Sequence, residues 1–176
     1  MITTKIIDSQ HKVDINILNE PFKLFGRILV TYHDGKWDYQ LKKYSSEKVT
    51  EMRFPDENYD YDAMKDSVFV GAYDGKKCIG LAILQPGFFK YMYLSDLKVN
   101  KKYRGQHVGQ KLIAKAKEIA REKGYAGLYT QGQDDNPGAC LFYLKTGFYI
   151  GGIDTNVYCH TKQEGKADII FYCDVK

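Results

Sequence analysis

Residues 91–123 constrain this chain more than any other stretch, because one backbone period gives way to another there. Tyr91 to Val99 (YMYLSDLKV) is a strand-sized run of aromatic, β-branched and aliphatic residues. Asn100-Lys101-Lys102 breaks it with polar turn residues. From Val108 the apolar residues fall at Val108, Leu112, Ala116, Ile119 and Ala120, one face of a helix, while Lys111, Lys115 and Glu118 lie off it. Gly124 is the stop signal. The pattern predicts strand, tight turn, helix.

The turn has chemical content. Arg104, Gly105 and Gly109 stand where the helix begins. A helix N-terminus presents unpaired backbone N–H groups and about half a positive charge. Glycine lets that backbone approach a ligand closely, and arginine adds a fixed charge suited to phosphate. A pyrophosphate is the natural guest, although the same residues would also make a plain helix cap with a solvated arginine. A Walker loop would need GxxxxGK followed by Ser or Thr, and the dinucleotide fingerprint GxGxxG is absent.

At 176 residues one domain, 1–176, is the default. Apolar content of 44% and charged content of 27% are those of an ordinary globular chain. The net charge of +4 comes from dispersed Lys and Arg, which argues against nucleic acid as a partner and suits an anionic cofactor. No 18-residue apolar run occurs, so no membrane span is expected. MITTKIIDSQ lacks a signal-peptide core, and Cys78, Cys140, Cys159 and Cys173 form no C-x-x-C pair. The expectation is a cytoplasmic protein whose cysteines are buried thiols, with no metal site and a monomeric or homodimeric state.

Elsewhere, residues 3–7 suggest a first strand and residues 8–24 irregular chain or a short helix. Leu24 to Tyr32 and Trp37 to Tyr44 read as strands around His33-Asp34-Gly35-Lys36, a hairpin signal. Val68 to Tyr73 and Lys77 to Leu84 form a second hairpin through Asp74-Gly75. Ser45 to Lys65 is the least regular segment. Within it, Phe54 to Asp62 carries four acids and three aromatics in nine residues. That is either a solvated loop or helix start, or a wall that attracts a cationic substrate through Asp56, Glu57, Asp60 and Asp62 and through aromatic faces. After the central helix come a strand at Gly127 to Gln131, a helix at Asn136 to Lys145, and closing strands at Phe148 to Ile150, Asp154 to His160 and Asp168 to Val175. The order gives an α/β sandwich on a mixed sheet.

Arg104-Gly105-Gln106-His107-Val108-Gly109 resembles the acetyl-CoA loop of the GNAT superfamily of N-acetyltransferases, Arg/Gln-x-x-Gly-x-Gly/Ala after a central strand, with His107 where the first motif glycine is usual. A second motif follows in the right order: Asn136, Ala139, Phe142-Tyr143 and Gly147-Phe148. The resemblance implies the GNAT fold: a mixed, mostly antiparallel central sheet splayed around acetyl-CoA, with helices on both faces. The whole chain further resembles the streptothricin acetyltransferases, through Glu20-Pro21-Phe22, Gly26, Trp37, the acidic stretch, Gln133-Asp134-Asp135-Asn136, Gly147-Phe148-x-Ile150-Gly151, Asp154-Thr155 and Tyr158.

The implied reaction moves acetyl from acetyl-CoA to a primary amine of streptothricin, on its β-lysine arm. The amine attacks directly in a ternary complex. Under the resemblance the cofactor is held by Leu97, Lys98 and Val99 of the strand, by Arg104, Gly105, Gln106, His107, Val108, Gly109 and Gln110 of the turn, and by Asn136, Ala139, Phe142 and Tyr143. Tyr143 returns a proton to the leaving thiolate, and Asp96 is the nearest candidate base, acting directly or through water. Asp154 joins Asp56, Glu57, Asp60 and Asp62 as acceptor-binding candidates. Other acceptors (a polyamine, an aminoglycoside, a protein lysine) and a non-catalytic acyl-CoA sensor are the alternatives.

Overall fold

The computed structural model describes residues 1–175. Its strands are β1 (Ile2–Ile6), β2 (Phe22–Leu24), β3 (Gly26–His33), β4 (Lys36–Lys43), β5 (Thr50–Met52), β6 (Val68–Asp74), β7 (Lys77–Gln85), β8 (Tyr91–Val99), β9 (Gly127–Gln133), β10 (Tyr149–Asp154) and β11 (Asp168–Asp174); its helices are α1 (Val108–Glu122) and α2 (Pro137–Lys145). Short 3₁₀ segments cover Ser9–Asn16, Ser46–Lys48 and Lys101–Tyr103. Seven strands form a sheet in the order β1-β6-β7-β8-β9-β11-β10. It is the expected mixed, mostly antiparallel sheet, with β8 and β9 parallel.

The chain forms two compact units: Met1–Glu20 with Arg53–Tyr129 and the residues from Asp174, and Pro21–Met52 with Thr130–Cys173. In the first, the helical periodicity is realised as a buried face of α1, comprising Val108, Leu112, Ile113, Ala116, Ile119 and Ala120. This face packs on β6, β7 and β8. Gly80 of β7 sets how closely α1 can sit. A Cβ there would stand 3.1 Å from Leu112 Cδ1 and 3.2 Å from the Lys98 carbonyl. Strand residues alternate between faces, so Leu81 and Ile83 point the other way. There they pack with Ile7, Ile15 and Phe69, and with the partly buried Ile17, Tyr59, Tyr61 and Met64. Each such aliphatic side chain contributes about 1.5–3 kcal/mol on burial.

Both hairpin signals are realised. In β3–β4 Asp34 and Gly35 both have positive φ, 49° and 77°, a type I′ turn that matches strand twist. In β6–β7 Gly75 has φ 60° and occupies the first loop position between the paired Asp74 and Lys77. β3–β4 is a separate two-stranded sheet whose paired residues Ile28–Leu41, Val30–Tyr39 and Tyr32–Trp37 line one face.

Four sequence expectations change. The run from Leu24 divides at Phe25, because Phe22–Leu24 pairs with Thr50–Met52 while Gly26 onward pairs with β4. The second of these strands lies inside the segment expected to be least regular. No strand forms over Asp154 to His160. β10 ends at Asp154, whose carboxylate Oδ1 accepts hydrogen bonds from the Asn156 and Val157 amides and turns the chain. β-Prone side chains there lose to local side chain–backbone bonding. Nor are all four thiols buried: Cys140 and Cys173 are, but Cys159 is exposed and Cys78 half-buried.

Gly80→Val should lower stability by about 1–3 kcal/mol through overpacking. Urea unfolding monitored by circular dichroism measures it, and an unchanged midpoint would refute the close packing of α1 on β7.

Candidate active site

The central feature of the first unit is a β-bulge. Ile83 pairs with Asp96 but Leu84 pairs with Leu94, so Ser95 is an extra residue in β8. Without it Asp96 would continue the Met92–Leu94 side of the strand. With it, Asp96 sits on the Ile83 face, where Tyr59 packs. Tyr59 donates its hydroxyl to Asp96 Oδ2 at 3.0 Å. Lys98, two residues on and on the same face, places Nζ 3.1 Å from that oxygen and 2.6 Å from Glu57 Oε2. The Lys98 ammonium also lies 5.5 Å from the Tyr59 ring centroid. The Lys98 and Asp96 side chains are only 10% and 18% exposed, so water screens this group poorly. Burial pushes the Asp96 carboxyl above its ordinary range against the pull of Lys98. Burial raises the Glu57 carboxyl, but Lys98, a backbone hydrogen bond and the Asn19 side chain together hold it below the usual carboxylate range.

The strand leads into the expected turn. Asn100 accepts a hydrogen bond from the Lys102 amide at 3.2 Å and starts the 3₁₀ segment. Gly105 and His107 are left-handed, with φ 78° and 61°. His107 is the residue before α1 and makes no side-chain cap on its backbone; its ring instead meets the Gln110 side chain. The first intrahelical bond runs from the Lys111 amide to the His107 carbonyl, so the amides of Val108, Gly109 and Gln110 precede it. The first turn of α1 holds no acidic side chain. Left-handed residues, amides ahead of the first helical bond and a missing acidic cap together fit a diphosphate. Arg104 turns its Nε onto the Val99 carbonyl, 3.1 Å away, which fixes its base beside the end of β8.

The acidic stretch is dispersed rather than convergent. Asp56 accepts from the Asn19 amide at 2.7 Å and pairs with Arg53 at 2.5 Å. Glu57 goes to Lys98, Asp60 caps its own turn at the Asp62 and Ala63 amides, and Asp62 pairs with Lys12 at 2.9 Å.

In the second unit, α2 carries the second motif. Asn136 is its N-cap, accepting from the Ala139 amide at 3.2 Å, with Pro137 in the first turn. Cys140 and Tyr143 face inward. The Tyr143 ring packs against Phe142, Phe148 and Phe171 at centroid separations of 5.8, 5.4 and 5.4 Å. Gly132 of β9 makes room for Cys140 and Phe171, since a Cβ there would lie 3.2 Å from Cys140 Sγ and 3.3 Å from Phe171 Cε2. Burial and the neighbouring aspartates push the Cys140 thiol up to about 12, so it is inert at neutral pH.

Around α2 lies a buried acidic group that the sequence alone marked only through Gln133-Asp134-Asp135. Asp134 pairs with Arg27 at 3.0 Å and accepts from the Ala167 amide at 3.1 Å. Asp135 pairs with Lys166 at 3.0 Å. Asp168 accepts from the Tyr158 hydroxyl at 2.7 Å and lies opposite Asp154 in the β10–β11 register. Burial raises the Asp168 carboxyl, with Asp154 and Asp134 adding like-charge repulsion against the Tyr158 hydrogen bond. No local pattern of residues signals that Tyr59 meets Asp96, or that Asp168 meets Tyr158. The Asp96-x-Lys98 spacing, which sets both side chains on one strand face, was the readable hint of the first group.

The Acetyltransferase (GNAT) family matches residues 31–148. Streptothricin acetyltransferase A of Bacillus subtilis (strain 168) is 32% identical over 159 residues, covering 90% of this chain and 92% of that protein. A structure from Bacillus anthracis str. Ames, provisionally assigned as a streptothricin acetyltransferase and in complex with acetyl coenzyme A, aligns with a TM-score of 0.87 at 25% identity, over 100% of this chain and 99% of that one. A nourseothricin acetyltransferase shares the fold with a TM-score of 0.81 at 23% identity, over 99% of each chain.

His107→Gly should raise stability by about 0.5–1 kcal/mol by removing a side chain from a left-handed position; a lower Tm on thermal unfolding would contradict this. The raised Asp168 sets a pH dependence. The folded state holds this proton above the ordinary value of 3.8, where the unfolded state has released it. The contribution of Asp168 to stability therefore falls as pH rises from near 3.8 through its folded value. Asp168→Asn should flatten that fall in a series of urea titrations, and an unaltered pH profile would show that the carboxyl is not perturbed.

Proposed function

This chain belongs to the GNAT family of acetyltransferases, and from that premise we propose that it transfers acetyl from acetyl-CoA to a primary amine of streptothricin, on the β-lysine arm. The observation that carries the cofactor half is the start of α1, where left-handed Gly105 and His107 lead into amides that no acidic side chain caps. The acceptor half is supported by the similarity to streptothricin acetyltransferase A, which spans nearly the full length of both chains.

When bound, acetyl-CoA supplies a thioester carbonyl for attack and a thiolate as the leaving group. The amides of residues 105–110 bind its diphosphate, Arg104 adds charge at the edge of that turn, and the backbone of Leu97, Lys98 and Val99 aligns the pantetheine arm. Asn136 and Ala139 begin the helix that presents Phe142 and Tyr143. Asp96 accepts a proton from the acceptor ammonium, since only the neutral amine has a lone pair to donate, and the Tyr143 hydroxyl protonates the departing sulfur.

Asp154 grips the acceptor ammonium. It stands opposite Asp168, and a cation between two repelling carboxylates relieves part of the cost of their proximity. Asp56, Glu57, Asp60 and Asp62 already hold internal partners. Asp60 and Asp62, whose partners are a backbone turn and the exposed Lys12, act on the acceptor at longer range through their field.

Thiol release from acetyl-CoA with streptothricin as acceptor tests the reading, beside a panel of polyamines, aminoglycosides and lysine peptides. Turnover of streptothricin at a kcat/KM above that of every other amine is expected, and no streptothricin-dependent thiol release would overturn it. Tyr143→Phe should lower kcat by about 10²-fold or more with acetyl-CoA affinity retained. Asp154→Asn should raise the streptothricin KM about tenfold, equivalent to about 1.4 kcal/mol, and leave the acetyl-CoA KM unchanged; equal KM values in both proteins would remove Asp154 from the acceptor site.

A further inference from the structure

The group around Asp96 is more than one ion pair. Two donors, the Tyr59 hydroxyl at 3.0 Å and the Lys98 ammonium at 3.1 Å, converge on the same oxygen, Oδ2. The Lys98 ammonium lies closer to Glu57, at 2.6 Å, than to Asp96. Glu57 is in turn held by the Asn19 side chain, Nδ2 to Oε2 at 2.8 Å, and the Asn19 amide is fixed by Asp56 at 2.7 Å. Tyr59 is fixed independently, its amide donating to Asn16 Oδ1 at 2.7 Å and its carbonyl accepting from Asn16 Nδ2 at 2.9 Å. Two segments distant in sequence, residues 16–19 and 53–59, thus present a carboxylate and a phenol to one face of β8.

A lysine beside a general base is a liability. Undivided, its charge would hold the carboxylate ionised but too weakly basic to take a proton from an ammonium. Two carboxylates against one ammonium leave the group with one net negative charge and the lysine pulled toward the partner that does no chemistry. Resting on the reading of Asp96 as the base, we propose that Glu57 and Tyr59 are positioning residues for it: Glu57 draws the Lys98 ammonium toward itself, and Tyr59 anchors Oδ2, so that Oδ1 is presented as the proton-accepting atom. The bulge at Ser95 makes the arrangement possible by placing Asp96 and Lys98 on the Tyr59 face.

The charged and titratable groups facing Asp96 are Lys98 on its own strand, and Glu57 and Tyr59 from the segment after β5. Tyr93, stacked on Tyr129 with centroids 4.8 Å apart, acts on Tyr59 in turn. The neighbouring strand contributes the uncharged Ile83. Removing Glu57 leaves Lys98 to act on Asp96 alone and makes it a weaker base. Removing the Tyr59 hydroxyl takes a donor from the carboxylate and has the opposite effect. The two variants therefore displace the same titration in opposite directions, which general loosening of the fold would not do.

The test is carboxyl ¹³C NMR of the free protein labelled at aspartate, with the Asp96 resonance assigned from Asp96→Asn, beside pH profiles of kcat/KM for the acceptor. Glu57→Gln should move the Asp96 midpoint and the acidic limb of the profile down by about half a pH unit or more, and Tyr59→Phe should move both up by a similar amount. Glu57→Asp should restore most of the wild-type position. Unmoved midpoints, or displacement of both variants in one direction, would overturn the positioning roles. Should Asp96→Asn keep the wild-type kcat/KM, the reading of Asp96 as base fails instead, and the NMR displacements separate that outcome from a failure of the positioning.

Discussion

The extra residue in β8 is the constraint on which the chemistry of the first unit depends. A strand alternates its side chains by geometry, so an unbroken β8 would direct Asp96 to the same side as Met92 and Leu94, both buried apolar residues. A carboxylate on that side would be desolvated among apolar side chains and driven toward its neutral form. One inserted residue moves it to the face where a phenol and an ammonium meet it. The inserted Ser95 is itself anchored, its hydroxyl donating to the Ile83 carbonyl at 3.3 Å. A single residue of register thus decides whether Asp96 is a packing defect or a titratable group with defined partners.

Above that strand, the placement of α1 follows from size rather than charge. The absence of a side chain at Gly80 lets Leu112 and Val108 come down onto β7, which fixes the start of the helix relative to the end of β8. The second unit uses the same device at Gly132, where Cys140, Tyr143 and Phe171 converge on a bare Cα. In both places a glycine inside a strand marks the seat of a helix that carries family motif residues, rather than a turn.

Much of this was legible in the sequence because the signals were local. The change from strand to helical period placed α1 at its observed start, and Asp34-Gly35 and Asp74-Gly75 marked their hairpins because left-handed turn residues are chemically distinctive. Asn136-Pro137 announced α2 for a similar reason, an acceptor side chain followed by a residue without an amide proton. What the sequence did not carry was pairing across long separations. The bulge depends on the register between β7 and β8, which no single run of residues encodes. The four carboxylates between Asp56 and Asp62 looked like one patch because they are close in sequence, yet Glu57 and Asp62 are matched to the distant Lys98 and Lys12, while Asp56 and Asp60 are taken up locally by Arg53 and by backbone amides. The stretch after Asp154 looked extended until its carboxylate took two backbone amides and bent it.

The bare start of α1 has a thermodynamic consequence. A helix that ends in its own acidic or hydroxyl cap gains about 1 kcal/mol from it; this one forgoes that gain, so part of the free energy available at its first turn can come only from outside the chain. Whatever anion settles there and not on the unfolded polypeptide will raise the unfolding free energy by RT ln(1 + [L]/Kd). The stability of the folded chain then depends on the concentration of any such anion around it, rising by about 1.4 kcal/mol for each tenfold increase above Kd.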